Sequence, residues 1–164
     1  SGRKSDVLRQ AADAMDSALA KAWQDRNPEV PLSSAEQLLI LASIVEKETG
    51  QAAERPQIAG VFTRRLKLGM RLQTDPTVIY GIGAAYDGNI RRRDLRTDTP
   101  YNTYTRAGLP PPPIAMPGKA ASQAAANPAA GDALYFVASG NGQHVFSANY
   151  EDHKKAVATY QLKQ

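Results

Sequence analysis

Glu48 is the residue of this chain whose surroundings best suit acid–base chemistry. On a helical wheel of about 100° per residue, Leu41, Ile44 and Val45 fall within about 60° of it. Glu46 falls about 160° away, on another face. A carboxyl group among apolar side chains is desolvated, which raises its pKa. An acid that stays protonated near neutral pH suits general-acid cleavage of a glycosidic bond.

The helical pattern leaves other interpretations of these carboxylates open. A glutamate at a helix end often turns into solvent or pairs with Arg or Lys, and Glu46 fits that description. An ordinary glycosidase needs a second carboxylate. Asp75 is a candidate, because it lies in the turn Gln73-Thr74-Asp75-Pro76. The same residue also fits a cap for a helix that starts at Pro76.

A polar loop further along the chain could hold a sugar. Tyr101, Asn102, Tyr104 and Thr105 offer hydroxyl groups, an amide and aromatic faces. Sugars are commonly bound by such groups, but a plain polar surface loop has the same composition. Both interpretations stay open, so these loop residues are candidates for substrate binding.

Other chemistries find little support. The chain has no cysteine, which excludes disulfides, zinc thiolate sites and thiol nucleophiles. Its two histidines, His144 and His153, lack a metal-binding spacing. Neither a G-x-S-x-G elbow nor a phosphate-binding glycine loop occurs. The basic run Arg91-Arg92-Arg93 has no nucleic-acid fold signature beside it and is interpreted as a solvated loop. We therefore expect no metal, cofactor or nucleic acid.

Length and composition indicate an ordinary globular protein. The 164 residues suit a single domain, 42% are hydrophobic and 22% charged. The net charge of +4 would suit an anionic polymer, and it would equally suit simple solubility. We find no apolar run of about 18 residues that could span a membrane. Ser1-Gly2 is interpreted as a cloning remnant, so we expect 1–164 to be one catalytic domain of a longer protein.

The elements that must hold these residues follow from the apolar periodicity. Helices are predicted at 5–25, 33–50, 54–67, 75–80, 119–130 and 150–162. Strands are predicted at 134–138 and 144–148, joined by the turn Gly140-Asn141-Gly142. Between the helices at 75–80 and 119–130, residues 82–118 form a long loop rich in Gly, Pro, Arg and Tyr. This order predicts an α+β fold, a helix-rich catalytic domain with a β-hairpin and one long loop.

Local signals predict where several helices begin and end. Ser33 and Glu36 have the spacing of a capping box for the helix that carries Glu48, and Thr49-Gly50 is expected to close that helix. The first helix should bury an apolar stripe. Its members are Val7, Leu8, Ala11, Ala12, Met15, Leu19, Ala22 and Trp23.

Several blocks of sequence resemble the endolytic murein transglycosylase (MltG, YceG-like) family. The first is Ala42-Ser43-Ile44-Val45-Glu46-Lys47-Glu48-Thr49, and the second is Gly69-Met70-Arg71-Leu72-Gln73-Thr74-Asp75-Pro76-Thr77-Val78-Ile79-Tyr80-Gly81. Further blocks are Tyr101-Asn102-Thr103-Tyr104, Gly108-Leu109-Pro110-Pro111 and Leu134-Tyr135-Phe136-Val137. The order and spacing agree with the family from about residue 5 to the end.

The resemblance implies a lytic transglycosylase with one catalytic carboxylate, Glu48. Such an enzyme cleaves the bond between N-acetylmuramic acid and N-acetylglucosamine without water and leaves 1,6-anhydro ends. The residues then expected to bind substrate are Gln73, Asp75, Tyr80, Tyr101, Asn102 and Tyr104. The chain departs from the family pattern at Arg64, Pro112 and Met116, so we expect the detailed shape of its groove to depart from that of the family.

The resemblance also carries expectations about the whole protein. It implies a periplasmic domain, tethered to the inner membrane by an upstream anchor, that acts on peptidoglycan strands together with peptidoglycan synthases (penicillin-binding proteins). Two alternatives remain open. One is a lysozyme-like muramidase with Asp75 as its second carboxylate, and the other is a glycan-binding module without catalysis.

Overall fold

A computed structural model describes residues 2–48 and 51–161. Its helices are α1 (Gly2–Gln24), α2 (Ala35–Glu48), α3 (Arg55–Leu68), α4 (Asp75–Ile82), α5 (Arg92–Arg96), α6 (Lys119–Ala126) and α7 (Tyr150–Tyr160). Its strands are β1 (Tyr135–Ala138) and β2 (His144–Ser147), and short 3-10 turns lie at Ala52–Glu54 and Gly83–Ala85. The predicted α+β class is confirmed.

The core forms around α2, the helix that carries Glu48. Leu38, Leu41, Ile44 and Val45 are fully buried, and α2 packs against α1, α3 and α6. Burying one such side chain stabilises the fold by about 1.5–3 kcal/mol. The apolar stripe that the helical wheel predicts is therefore the face by which α2 is fixed in the molecule.

The two strands form an antiparallel hairpin beside this helical layer. Tyr135 lies opposite Ser147, and Ala138 lies opposite His144. Gly140 and Gly142 have φ of 93° and 81°, which a glycine adopts without strain, so the predicted turn is confirmed. The hairpin packs against α7 and against α3.

The start of α2 differs from the prediction by one residue. The backbone N–H of Gln37 donates to the Ser34 hydroxyl at 3.2 Å, and the Gln37 side chain accepts from the N–H of Ser33 at 2.8 Å. The Ser33–Glu36 capping box is thus wrong, because the helix begins after Ser34 and Glu36 points outward. The predicted closure at Thr49-Gly50 lies outside the described residues.

The first helix buries less of its apolar stripe than expected. Leu19, Ala22 and Trp23 pack on the core, but Val7 and Leu8 are 62% and 69% exposed. Among the described side chains of α1, those that pack on the core lie in its C-terminal turns, so the periodicity extends beyond them. The side chains of Ala11, Ala12 and Met15 lie outside the described part of the chain.

The long loop is more ordered than its composition suggests. It contains α5 and is joined to the back of α2, where the N–H of Ile114 donates to the Ser43 hydroxyl at 3.0 Å. Arg91, in the basic run, pairs with Asp87 at 2.6 Å. None of the helices within 2–48 and 51–161 combines the length and apolar character needed to cross a membrane.

Candidate active site

A groove of about 620 Å³ separates the helical layer from the hairpin and α7. One wall holds Glu48, Gln73, Asp75 and Tyr104, together with apolar residues of α3 and α4. The opposite wall comes from β1, β2 and α7. Within the described ranges no group of three or more His, Asp and Glu side chains could hold a metal ion.

Glu48 is half-buried in this groove, at the C-terminal end of α2. The Thr74 hydroxyl donates to its Oε1 at 2.5 Å. Burial raises the pKa of the Glu48 carboxyl above its ordinary value of 4.5. The Thr74 hydrogen bond opposes that rise, the charge of Asp75 adds to it, and His144 opposes it. Because burial is the largest of these effects, the carboxyl holds its proton to higher pH than an exposed glutamate.

Glu46 shows how different the two glutamates of the E-K-E run are. Its carboxylate accepts from the N–H of Gly118 at 2.7 Å and pairs with Arg55 at 3.5 Å. Glu46 thus lies on another face of α2, as the wheel predicts, and stabilises the chain just before α6. It takes no part in the groove.

Three buried threonines hold the turn that presents Thr74. The Thr103 hydroxyl accepts from the N–H of Thr74 at 3.0 Å and lies 2.9 Å from the Thr77 hydroxyl. The carbonyl of Thr103 accepts from the N–H of Gln73 at 3.2 Å. All three threonines are almost fully buried. The hydroxyl groups of Thr77 and Thr103 bond to each other and to the carbonyl of Thr74, which leaves the Thr74 hydroxyl for Glu48. The loop at Thr103 therefore fixes the donor that reaches Glu48.

Gln73 carries backbone strain at this same turn. Its φ is 52°, the left-handed region that non-glycine residues seldom adopt, and among the described residues it is the one non-glycine with positive φ. Such strain tends to occur at ligand sites, where the surrounding structure holds the backbone. The Gln73 side chain stays exposed to the groove.

Asp75 is the first residue of α4, and its carboxylate accepts from the Tyr104 hydroxyl. Thr74 occupies the position before the helix, so the capping role considered for Asp75 is wrong. Burial raises the pKa of Tyr104, and the carboxylate of Asp75 raises it further. Tyr104 therefore stays neutral and donates its hydroxyl hydrogen to Asp75, which lines the same groove as Glu48.

The opposite wall is aromatic. Tyr135 stacks on His153 with ring centroids 4.9 Å apart, and the Arg65 guanidinium carbon lies 4.9 Å from the centroid of the Tyr135 ring. Arg65 also donates to the carbonyls of Leu134 and Arg71, both at 2.7 Å. It thereby joins the start of β1 to the turn before α4. Aromatic walls with a few fixed polar groups are typical of small-ligand sites.

His144 lies in the same wall and is fixed by Glu54. The two oxygens of the Glu54 carboxylate lie 2.9 Å from the ring Nδ1 and 2.9 Å from the backbone N of His144. The two residues are separated by 90 positions along the chain. This contact joins the hairpin to the 3-10 turn that precedes α3.

The sequence pattern of the YceG-like family matches residues 1–159. The chain belongs to the YceG-like family. It is 46% identical over 127 residues to a protein of Bacillus subtilis named endolytic murein transglycosylase, covering 77% of this chain and 35% of that protein. A Streptococcus pneumoniae protein of the same name is 37% identical over 129 residues, covering 76% of this chain and 23% of that protein.

A solved structure agrees with this assignment. The crystal structure of a YceG-like protein from Listeria monocytogenes matches with a TM-score of 0.70 and 44% identity. The match covers 74% of this chain and 40% of that one. The YceG-like chain thus spans about a third or less of the length of the curated relatives above.

The structure brings some of the predicted residues of this YceG-like chain together and leaves others apart. Glu48, Gln73, Asp75 and Tyr104 share the groove. Tyr80 and Tyr101 do not line it, and their rings contact each other edge to face at 5.4 Å.

Asn102 is also away from the groove, for a clear physical reason. It is 1% exposed, and its amide nitrogen donates to the carbonyls of Asp94, Leu95 and Thr97 at 2.8–3.3 Å. Its side-chain oxygen accepts from the N–H of Tyr104 at 2.8 Å. With all these groups engaged, Asn102 shapes the loop that presents Tyr104, and the structure gives it no contact with the groove.

Sequence reasoning missed Thr74, Arg65 and His144. Thr74 lies inside the turn quoted for Asp75, and the signal was its position beside that acid. His144 follows directly on the hairpin turn, but no local pattern tells that it meets a glutamate 90 positions earlier. Contacts of such long range follow from the packing of the hairpin and not from periodicity.

The departures from the family pattern do not lie in the groove of the YceG-like chain. Arg64 donates to the carbonyls of Ala133 and Ala129 at 2.7 and 3.1 Å. Met116 is exposed and lies beside a separate hollow between α1 and the chain before α6, and Pro112 lines neither. The three positions were expected to change the detailed shape of the groove, but none of them lines it.

Proposed function

We propose that this YceG-like domain is an endolytic murein lytic transglycosylase. The observation that carries the proposal is Glu48, an acid with a raised pKa that accepts a hydrogen bond from the Thr74 hydroxyl in a groove of about 620 Å³. The name of the B. subtilis and S. pneumoniae relatives supports the same activity.

The first half of the reaction uses Glu48 as an acid. Its proton passes to the glycosidic oxygen between N-acetylmuramic acid and N-acetylglucosamine, and the bond from that oxygen to the muramic C1 breaks. The oxygen of the substrate's own acetamido group bonds to C1, in place of a protein nucleophile. Glu48 is left as a carboxylate that accepts the Thr74 hydrogen bond.

The second half uses the same residue as a base. The Glu48 carboxylate takes the proton of the muramic 6-hydroxyl, and that oxygen bonds to C1 as the acetamido oxygen departs. The product ends in a 1,6-anhydro ring, and no water is consumed. A residue that acts first as acid and then as base needs a pKa near the working pH, which the burial of Glu48 favours.

The test is mass spectrometry of purified glycan strands after incubation with the domain and two variants. We expect internal fragments with 1,6-anhydro ends from the unsubstituted domain, and a loss of about 10²–10⁴ in rate for Glu48→Gln. Glu46→Gln is the matched control, since Glu46 lies outside the groove and should leave the products unchanged.

A hydrolase is the second candidate, favoured by the location of Asp75 beside Glu48. It predicts reducing ends that contain an oxygen atom from water, which strands digested in H₂¹⁸O would reveal by mass. The bond from Tyr104 to Asp75 supports a positioning role for that carboxylate instead. Binding of strands without any cleavage, by the domain and by Glu48→Gln alike, would favour a glycan-binding module.

The location and partners of the whole protein form part of the proposal. The substrate supports a periplasmic domain tethered to the inner membrane, working beside the peptidoglycan synthases that supply new strands. Cross-linking of the full-length protein in cells, followed by detection of penicillin-binding proteins, tests this association. Recovery of none of them would count against it.

A further inference from the structure

Tyr150, the first residue of α7, presents an aromatic ring that the proposed reaction leaves unused. It is 58% exposed and lines the groove on the wall opposite Glu48. Among the large apolar and aromatic residues that are exposed within 2–48 and 51–161, Tyr150 is the one that lines this groove. Because the ring is both exposed and part of a concave site, a ligand in the groove can pack on it.

The Tyr150 ring belongs to a cluster of rings whose members hold one another. Its centroid lies 6.0 Å from that of Tyr135 and 6.5 Å from that of His153, and those two rings stack on each other at 4.9 Å. The guanidinium carbon of Arg65 lies 4.9 Å from the Tyr135 centroid, and Arg65 is itself bonded to two backbone carbonyls. A ring among fixed neighbours loses little conformational freedom when a ligand packs on it, which favours binding.

Tyr150 also begins a row of α7 side chains that line the groove. The row continues with His153, Val157 and Gln161. Steps of three and four residues keep these side chains on one face of the helix. Since a helix rises about 1.5 Å per residue, the row is about 16 Å long. An extended ligand can therefore contact this wall with more than one of its units.

A sugar ring suits the chemistry of this wall. A pyranose has faces made of C–H bonds and an edge of hydroxyl and amide groups that bond to polar side chains. The C–H hydrogens carry a slight positive charge, which the negative face of an aromatic ring attracts. The same groove holds Glu48, the acid of the proposed reaction. A cut within a glycan strand leaves sugar units on both sides of the broken bond, so the groove must hold more than the two sugars that react.

We propose that Tyr150 is a platform on which one sugar ring of the glycan strand stacks, so that α7 holds the strand across the groove from Glu48. The proposal rests on the proposed function for the identity of the strand. It assigns Tyr150 to binding and not to the chemical step, because the acid lies in the other wall.

Three variants separate the ring of Tyr150 from its hydroxyl group and from the helix that carries it. Tyr150→Ala removes the ring, and Tyr150→Phe keeps the ring but removes the hydroxyl. Tyr160→Ala is the matched control, because Tyr160 is a half-exposed tyrosine of the same helix that does not line the groove. All three are made in Glu48→Gln, so that the strand stays intact during the measurement.

Isothermal titration calorimetry with peptide-free strands of alternating N-acetylglucosamine and N-acetylmuramic acid measures the Kd. We expect Tyr150→Ala to raise the Kd by on the order of tenfold, and the other two variants to stay within about twofold of Glu48→Gln. An unchanged Kd in a folded Tyr150→Ala, or an equal loss in Tyr150→Phe, would overturn the proposal. A loss seen only with peptide-bearing strands would also overturn it, because the ring would then hold the stem peptide.

NMR of the bound strand gives a readout that needs no change at Tyr150. In the saturated complex with Glu48→Gln, sugar C–H protons should show Overhauser contacts to the Tyr150 ring and move upfield, since an aromatic ring shields protons above its face. Absence of these contacts in the saturated complex would overturn the proposal, even if Tyr150→Ala did not fold.

Cleavage kinetics in the chain that keeps Glu48 distinguish the platform from a structural role. Tyr150→Ala should raise KM by on the order of tenfold and leave kcat within about twofold, because it removes binding and not chemistry. A fall in kcat with an unchanged KM would contradict the platform. An unsubstituted chain that cleaves no strand, yet binds strands through Tyr150, would reject the proposed function while the platform stands.

Discussion

Glu48 is subject to opposing influences, and each comes from a residue that can be changed separately. Burial favours its protonated form, while the Thr74 hydroxyl favours the carboxylate by donating a hydrogen bond at 2.5 Å. An acid that must give up and regain a proton in one turnover needs both its protonated form and its carboxylate to be stabilised. The balance between them, more than the glutamate alone, suits this position to acid–base work.

Replacement of Thr74 should therefore change both rate and pH dependence. In Thr74→Val the carboxylate loses a charge-assisted hydrogen bond, so the pKa of Glu48 rises and strand cleavage slows about tenfold or more. The pH–rate profile of each protein measures both effects, and its basic limb should move to higher pH in Thr74→Val. Thr63→Val is the matched control, since Thr63 is also buried and its hydroxyl has no partner within the described chain. Equal losses in both variants would contradict a specific role for Thr74.

The same burial has a consequence for stability. Below pH 4.5 Glu48 is protonated in the folded and unfolded chains alike, and its burial carries no charge penalty. As pH rises from 4.5 through the raised pKa of the folded state, the unfolded chain loses its proton first, and the free energy of unfolding falls. The wild-type chain is therefore penalised at neutral pH.

Glu48→Gln should thus be more stable than the wild type at pH 7, with a difference that vanishes towards pH 4. Thermal unfolding of both proteins across this range measures it. Glu46→Gln should shift stability the other way, because it loses an ion pair to Arg55 and weakens the bond to Gly118. A Glu48→Gln variant less stable than the wild type at pH 7 would contradict this, because it would mean that the folded state stabilises the ionised carboxylate.

At the scale of elements, close approach of backbones decides how α3 is packed. A Cβ atom on Gly60 would lie 2.6 Å from the carbonyl oxygen of Ala129, in the segment between α6 and β1. The N–H of Ala129 in turn donates to the carbonyl of Pro56 at 2.9 Å. Gly60 therefore lets this segment lie directly on α3, and the segment leads into the hairpin wall of the groove.

Gly60→Ala should destabilise the chain, although alanine is ordinarily better than glycine inside a helix by about 1 kcal/mol. The overpacked methyl group should cost about 1–3 kcal/mol in the free energy of unfolding. Urea denaturation measures the change. A variant as stable as the wild type would mean that the Ala129 segment moves away without cost.

Elements with a strong period are the ones that the sequence predicts well. α3, α6, the hairpin and α7 lie within a few residues of their predicted bounds, because local propensity and packing agree there. The predicted capping residue of α2 is wrong by one position, since Ser33 and Ser34 both suit a cap and only the packing of the helix decides between them. The loop 82–118 gives no periodic signal, so α5 and the buried amide of Asn102 could not be predicted.

The candidate site is predicted unevenly for a related reason. Glu48 follows from the wheel because the face that buries α2 also aims this carboxyl into the molecule. Tyr80, Tyr101 and Asn102 were expected to bind substrate from the family resemblance, and a matching motif does not tell which way each side chain faces on α4 or in the loop. The hairpin wall, with Tyr135 and His144, depends on how two distant parts of the chain pack.

At the scale of the whole molecule, the groove lies where the hairpin and α7 meet the helical layer that forms the core. Arg65 spans this division, since its buried guanidinium donates to Leu134 at the start of β1 and to Arg71 before α4. The pair of Glu54 and His144 is a second connection. The two walls are therefore joined by a few polar contacts in addition to the apolar contacts that Phe136 and Phe146 make with the core.

Arg65→Lys should loosen the hairpin more than the core, because lysine has one donor group in place of a planar fork and cannot reach both carbonyls. Loss of about 2 kcal/mol from one charge-assisted hydrogen bond should speed the exchange of hairpin amides about 30-fold. Native-state hydrogen exchange compares the β1–β2 amides with those of α2, and Arg96→Lys, at an exposed arginine, is the control. Equal acceleration in α2 and the hairpin would mean that the two layers open as one unit. Faster exchange confined to the hairpin would mean that the groove can widen while the helix carrying Glu48 stays folded.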